Sequence, residues 1–237
     1  MKPQGVDATS PRRLPVQGGA PSPLALVLVP GFSGAPWDPR AYGAWRSRIL
    51  VTARLPDTGS IDACADAVEG WGAGLPDYAL VGDTFGSLVA LAVARRQPRG
   101  LRALVLSDNC LMDGSGRGAQ QPMVDWYVAR MRSHLDPPMT AEWIERLSPD
   151  FCEAATLWRR LTLAGSAAEG SLAGSIAVPT LVISAEDAGP MARQPLEPLI
   201  SSGATTTRIV LSGTGPLFRF TDPDAYATAV VTFLDRL

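Results

Sequence analysis

The chain has 237 residues, 46% of them hydrophobic and 19% charged, with a formal net charge of −2. That is enough apolar content for one domain with a full core, and no run of Lys and Arg forms a footprint for nucleic acid or an anionic membrane. The longest apolar runs, residues 24–29 and 88–94, fall far short of the ~20 residues of a membrane-spanning helix. The N-terminus has no hydrophobic signal core, so a soluble, cytoplasmic protein with a small-molecule partner is expected.

Residues 1–22 are rich in Pro, Gly, Gln and Ser and lack apolar periodicity. They read as a flexible leader, because they bury too little surface to offset the entropy of ordering. Residues 24–30 form a short continuous apolar run that ends at Gly31, the pattern of a buried parallel strand opening into a loop. Asp38 and Pro39 mark a helix start, and residues 49–55 are a second strand. Ser60 caps a helix through about Trp71. A third strand, 78–83, runs through Gly82, Asp83, Thr84, Phe85 and Gly86 into an apolar helix that extends to about Gln97, ahead of Pro98. Such a tight turn excludes side chains at its flanks and forces its central residue to positive φ, where β-branched threonine is strained.

Residues 101–107, 179–185 and 206–212 are further strands, with a short helix around 192–201. A last helix starts at Asp222 and Pro223 and puts Tyr226, Val230, Phe233, Leu234 and Leu237 on one face. Strand and helix alternate almost throughout, which argues an α/β fold with a doubly wound, mostly parallel sheet covered on both faces. Residues 111–177 break the pattern with helical periodicity over 123–134, 140–147 and 151–163. They are expected to cap the carboxyl ends of a core built from residues 23–110 and 178–237. Cys64, Cys110 and Cys152 have no metal-ligand spacing and read as reduced thiols, so neither a metal nor a cofactor is expected.

Four stretches in order resemble the α/β-hydrolase superfamily, in particular its small members with a helical cap. Residues 24–34 resemble the strand and oxyanion loop, with Pro30 in the place of a common histidine. Residues 81–89 resemble the nucleophile elbow, with Thr84 where serine belongs. Residues 178–190 and 211–223 resemble the loops that present the acid and the histidine. The resemblance implies an oxyanion hole made by the backbone N–H groups of Phe32 and Phe85, with Gly31, Ser33 and Trp37 beside the ligand. The acid position falls on Ala188, one place after Asp187, and Asp108 stands where some relatives carry the acid. The histidine position falls on Pro216.

Without an adjacent base a threonine hydroxyl stays protonated and attacks poorly. The single histidine, His134, reads either as a cation at a helix C-terminus or as a base supplied by the cap. Asp83 and Thr84 are the catalytic candidates: Asp83 as a buried carboxyl with a raised pKa acting as acid or base, Thr84 as a hydrogen-bond donor. Trp126, Tyr127 and Trp143 of the cap supply a flat apolar wall suited to an aromatic or polycyclic ligand. Pinning the loop into the cap is the other role open to Asp108.

The expected function is a non-hydrolytic, cofactor-independent enzyme that cyclises, eliminates, isomerises or forms C–C bonds in an apolar, oxygenated metabolite. The alternative is a catalytically inactive ligand-binding or scaffold protein. A weak threonine-dependent hydrolase is the third.

Overall fold

The structure is a computed structural model that describes residues 24–31, 43–57, 60–107, 159–160, 163, 176–186, 205–213 and 218–237. Six strands form one parallel sheet: β1 (Ala25–Val29), β2 (Leu50–Thr52), β3 (Tyr78–Asp83), β4 (Leu101–Ser107), β5 (Thr180–Ala185) and β6 (Thr206–Leu211). Among the described residues, the helices with full bounds are α1 (Ile61–Gly72), α2 (Phe85–Arg95), the short α3 (Phe218–Thr221) and α4 (Pro223–Leu234).

The spatial order β2-β1-β3-β4-β5-β6 means that the chain runs outward from β1 to β2 and returns on the far side of β1 to begin β3. The strand order therefore reverses between β1 and β3. Open α/β sheets leave a crevice for ligands at the carboxyl ends of two such strands. Val29 pairs with Gly82, so the residues that follow them, Pro30 and Gly31 on one side and Asp83 and Thr84 on the other, meet at that crevice.

The apolar strands are buried on both faces, as their unbroken hydrophobic runs require. Val27, Leu80, Leu104 and Val182 face α1 and α2 in one core layer. Leu26, Leu28, Val81, Val105 and Ile183 face Tyr226, Val230, Phe233 and Leu234 of α4 in the other. Trp45 joins the second layer and donates from its indole nitrogen to the Ala227 carbonyl at 3.4 Å. The edge strand β6 is only half covered among the described residues, with Val210 exposed.

The caps follow the sequence. Ser60 accepts from the Ala63 N–H at 3.3 Å, and Asp222 accepts from the Ala225 N–H at 3.2 Å with Pro223 in the first turn of α4. Some boundaries differ. The second strand is only Leu50–Thr52, and α2 stops at Arg95 because Gln97 takes φ +52°, out of the helical region that the following Pro98 disfavours. Leu237 does not share the apolar face of the last helix: α4 ends at Leu234 and Leu237 is exposed beyond it. The start of the helix expected after Asp38 lies outside the described residues, although Gly43 and Ala44 are helical; the helix expected over 192–201 and nearly all of 111–177 also lie outside them. Within the stretch expected to be helical, Arg159, Arg160 and Leu163 are helical.

The elbow helix packs directly on the end of β1. A Cβ at Gly86 would stand 2.1 Å from the Val29 carbonyl oxygen and 2.6 Å from that of Pro30, both rigid backbone. Gly86→Ala is therefore expected to cost about 3 kcal/mol or more, at the upper end of overpacking penalties, measured by urea denaturation. A change within 0.5 kcal/mol would show that the helix is free to shift.

Candidate functional site

Thr84 occupies the turn between β3 and α2 with φ +46° and ψ −115°. A β-branched residue held there costs about 1–3 kcal/mol, and the surroundings must over-determine it. They do. The Thr84 N–H donates to the Ser107 carbonyl at the end of β4 (2.9 Å), and the Thr84 carbonyl accepts from the Ser87 N–H (2.9 Å). The Ser87 hydroxyl donates to the Ser107 carbonyl (2.9 Å) and accepts from the Ser107 N–H (3.0 Å). The Ser107 hydroxyl pairs with the Tyr226 hydroxyl at 2.8 Å, which carries the network into α4. Phe218 and Trp45 close around the Tyr226 ring at centroid distances of 5.7 and 6.0 Å.

Gly31 completes the turn from the β1 side. A Cβ there would lie 2.1 Å from Thr84 Oγ1 and 2.6 Å from Asp83 Oδ2, so only glycine lets the backbone after β1 reach both polar groups. The Asp83 carboxylate and the Thr84 hydroxyl thus face the same point of the β1–β3 crevice.

Asp83 has a partner that the sequence reading missed. Arg219 of α3 brings its Nε to 2.5 Å from Asp83 Oδ2, and both side chains are almost wholly buried, at 1% and 4% exposed. The guanidinium also stacks on the Phe220 ring, with Cζ 3.8 Å from its centroid. Burial pushes the Asp83 carboxyl above its ordinary value, opposed by the charge and the side-chain hydrogen bond of Arg219 and by the hydrogen bond from Thr84. A lone arginine between Phe218 and Phe220 was the available signal, since a cation set among aromatics near the end of a sheet needs a buried counter-ion. Ser87 and Ser107 were legible only as small polar residues interrupting apolar elements.

Gly31, Asp83 and Thr84 meet at the carboxyl ends of β1 and β3, and Phe85 follows Thr84 at the start of α2. Phe32, Ser33, Trp37, Asp108, Trp126, Tyr127, Trp143, Asp187 and Pro216 lie outside the described residues, and so does His134. Among the described residues no cluster of His, Cys, Asp and Glu is arranged to hold a metal ion. No helix among them is long and apolar enough to cross a membrane.

A parallel six-stranded sheet whose third strand ends in a positive-φ turn, with a helix starting directly behind it, is the architecture of the α/β hydrolases. Solved structures agree. The chain is similar to an α/β-hydrolase fold protein from Chitinophaga pinensis, with a TM-score of 0.71 at 14% identity, over 96% of this chain and 98% of that one. It is similar to MenH from S. aureus, with a TM-score of 0.66 at 17% identity over 96% and 98% of the two chains. It is also similar to an esterase from Exiguobacterium antarcticum, with a TM-score of 0.66 at 14% identity over 90% and 92%. No protein-family model matches the sequence, and no curated protein matches it. The protein has the α/β-hydrolase fold.

Breaking a buried ion pair from one side leaves the other charge stranded, so Arg219→Met and Asp83→Asn are each expected to cost about 3 kcal/mol or more. The double variant should lose less than their sum, as a double-mutant cycle by urea denaturation measures. In Arg219→Met the carboxyl loses its opposing charge, and burial, opposed now by the Thr84 hydrogen bond, shifts it further upward from 3.8. A raised acid contributes stability below its unfolded value and loses it as pH rises through its folded value. The Arg219→Met deficit should therefore shrink as pH falls toward 4; a deficit that grows on acidification would contradict this account.

Proposed function

We propose that this protein is a non-hydrolytic enzyme on an α/β-hydrolase scaffold. It acts in the cytoplasm on an apolar, oxygenated metabolite, aromatic or polycyclic, by cyclisation, C–C bond formation, elimination or isomerisation. The observation that carries this reading is the pairing at the elbow: the strained turn is kept, and the carboxylate beside Thr84 is engaged by a buried guanidinium, that of Arg219. The Thr84 hydroxyl donates to the Asp83 carboxylate, and the guanidinium behind that carboxylate has no acceptor to pass the proton on, so a proton held at Asp83 suits acid–base chemistry on a ligand better than a relay for covalent attack on an acyl carbon. Residue 216, where the family histidine is expected, is proline, and the one histidine of the sequence is His134.

What remains is a place to hold an oxygen. Backbone N–H groups at the start of α2 and in the loop after β1 suit a developing enolate or phenolate, and Thr84 adds a hydroxyl donor. Positioning and charge stabilisation of this kind serve reactions without a covalent intermediate. Asp83 is the group proposed to carry a proton, supported by the burial that raises its carboxyl.

A second reading, a ligand-binding protein without chemistry, draws on the same pair. A carboxylate enclosed at 3% exposure against a guanidinium suits a structural charge as well as a proton carrier.

The test is chemical. A serine-directed fluorophosphonate should leave the intact mass unchanged, and 4-nitrophenyl acetate should be hydrolysed no faster than by a bovine albumin control. Thr84→Ser should not change either result, because one restored member of a triad adds little without the others. Stoichiometric labelling at residue 84 would overturn the reading and install a hydrolase.

A further inference from the structure

Thr84, Asp83 and Phe85 are 1%, 3% and 0% exposed, and Gly31 is buried with them. A ligand therefore meets the elbow only after something that covers it moves. Among the described residues, two cationic side chains reach this point from outside the sheet. Arg219 is sealed against Asp83 at 1% exposure and forms part of the floor. Arg160, from the chain between β4 and β5, is only partly buried, so its guanidinium has a way out to water.

Arg160 meets the crevice through two contacts. Its Nη1 donates to the Gly31 carbonyl at 3.0 Å, and its Cζ lies 5.9 Å from the centroid of the Phe85 ring. The carbonyl is a neutral acceptor, and the ring stands near the ~6 Å limit of a cation–π contact, so both are at the weak end for a guanidinium. The neighbouring Arg159 makes a two-armed ion pair with Asp57, just beyond β2, with both side chains about half exposed. That pair anchors the backbone, whereas Arg160 can leave the crevice by turning its side chain alone.

An arginine that rests on a neutral carbonyl is poised to exchange it. An anionic oxygen accepts from a guanidinium about twice as strongly as a neutral one, and a carboxylate matches the planar fork with two oxygens where the carbonyl has one. Asp83 and Arg219 cancel each other's charge, so an arriving anion meets no net repulsion from the floor. Water or the ligand replaces the donor that the Gly31 carbonyl loses, so no acceptor is stranded.

We propose that Arg160 is a gate that selects by charge: its guanidinium covers the way to Thr84 and Asp83 in the resting protein and turns onto the carboxylate of an incoming ligand. The substrate class this assigns is an apolar metabolite that carries a carboxylate. The inference rests on the proposed function in placing the ligand at the elbow.

The experiment reads access to residue 84. Thr84→Cys in the full chain is treated with the anionic 2-sulfonatoethyl or the cationic 2-(trimethylammonio)ethyl methanethiosulfonate. Modification at that position is followed by peptide mass, each rate being divided by that of the same variant unfolded in urea. With the gate open for about 0.1–10% of the time, both reagents should react slowly. The anionic one should react ~10-fold faster than the cationic one, as expected of a cation at the mouth of a cleft. Adding Arg160→Met should speed the cationic reagent by ~10-fold or more and abolish the preference, whereas adding Arg159→Met should leave the preference in place. If Arg160→Met does not fold, Arg160→Lys keeps the charge but not the fork, so it should keep the preference and admit both reagents faster. Rates that rise no more than the loss of stability in urea accounts for, a preference that survives Arg160→Met, or unchanged rates in Arg160→Lys overturn the gate. Fluorophosphonate labelling of the wild type would instead strike the proposed function and leave the gate standing, since these rates report access and not chemistry.

Discussion

The structure depends on one close approach, that of the β1 terminus to the turn after β3. Gly31 lies against Thr84 and Asp83 from one side, and Gly86 lies against Val29 and Pro30 from the other. Between them the chain must reverse from strand to helix within a single residue, and Thr84 absorbs the reversal at φ +46°. Strain of this size is tolerated only where the surrounding bonds leave no alternative. Here Ser107 binds both the Thr84 N–H and the Ser87 hydroxyl, and through Tyr226 the last helix is tied to the same point. The elbow is consequently held by strands β1, β3 and β4 and by helices α2 and α4 together.

The second organising feature is the charge pair under the turn. Burying Asp83 and Arg219 together is costly in solvation, and hydrophobic replacements of similar volume are often no less stable. The pair nevertheless sits beside strained Thr84, where it ties α3 to the sheet. Elsewhere the charged contacts are peripheral. Arg96 at the end of α2 gathers Asp62, Asp66 and Glu69 of α1, and Arg48 meets Asp235 after α4. These clamp helices from outside and do not reach the crevice.

The alternation of apolar runs and capped helices made the sheet legible, because strands buried on both faces are written as continuous hydrophobic stretches. The elbow was legible for a steric reason: Gly82 and Gly86 bracket a turn that tolerates no side chain there. What escaped was everything set by long-range contact. Arg219 lies more than a hundred residues from Asp83, and although the flanking Phe218 and Phe220 hint at a buried cation, nothing local says which carboxylate it meets. Tyr226 was placed correctly on the apolar face of the last helix, but its hydroxyl bond to Ser107 depends on which strand that helix covers. The end of the final helix was misjudged for the opposite reason, since apolar periodicity at Leu237 continued past the point where the backbone stops being helical.

The most direct measurement is a crystal structure of the protein with 2-naphthol, a planar apolar phenol. The account predicts its oxygen within ~3 Å of the Phe85 N–H and of Thr84 Oγ1, with no covalent bond to the hydroxyl and the Asp83–Arg219 pair intact. A naphthol seated away from the elbow, or a Thr84 hydroxyl found esterified by an acyl donor soaked in its place, would contradict it.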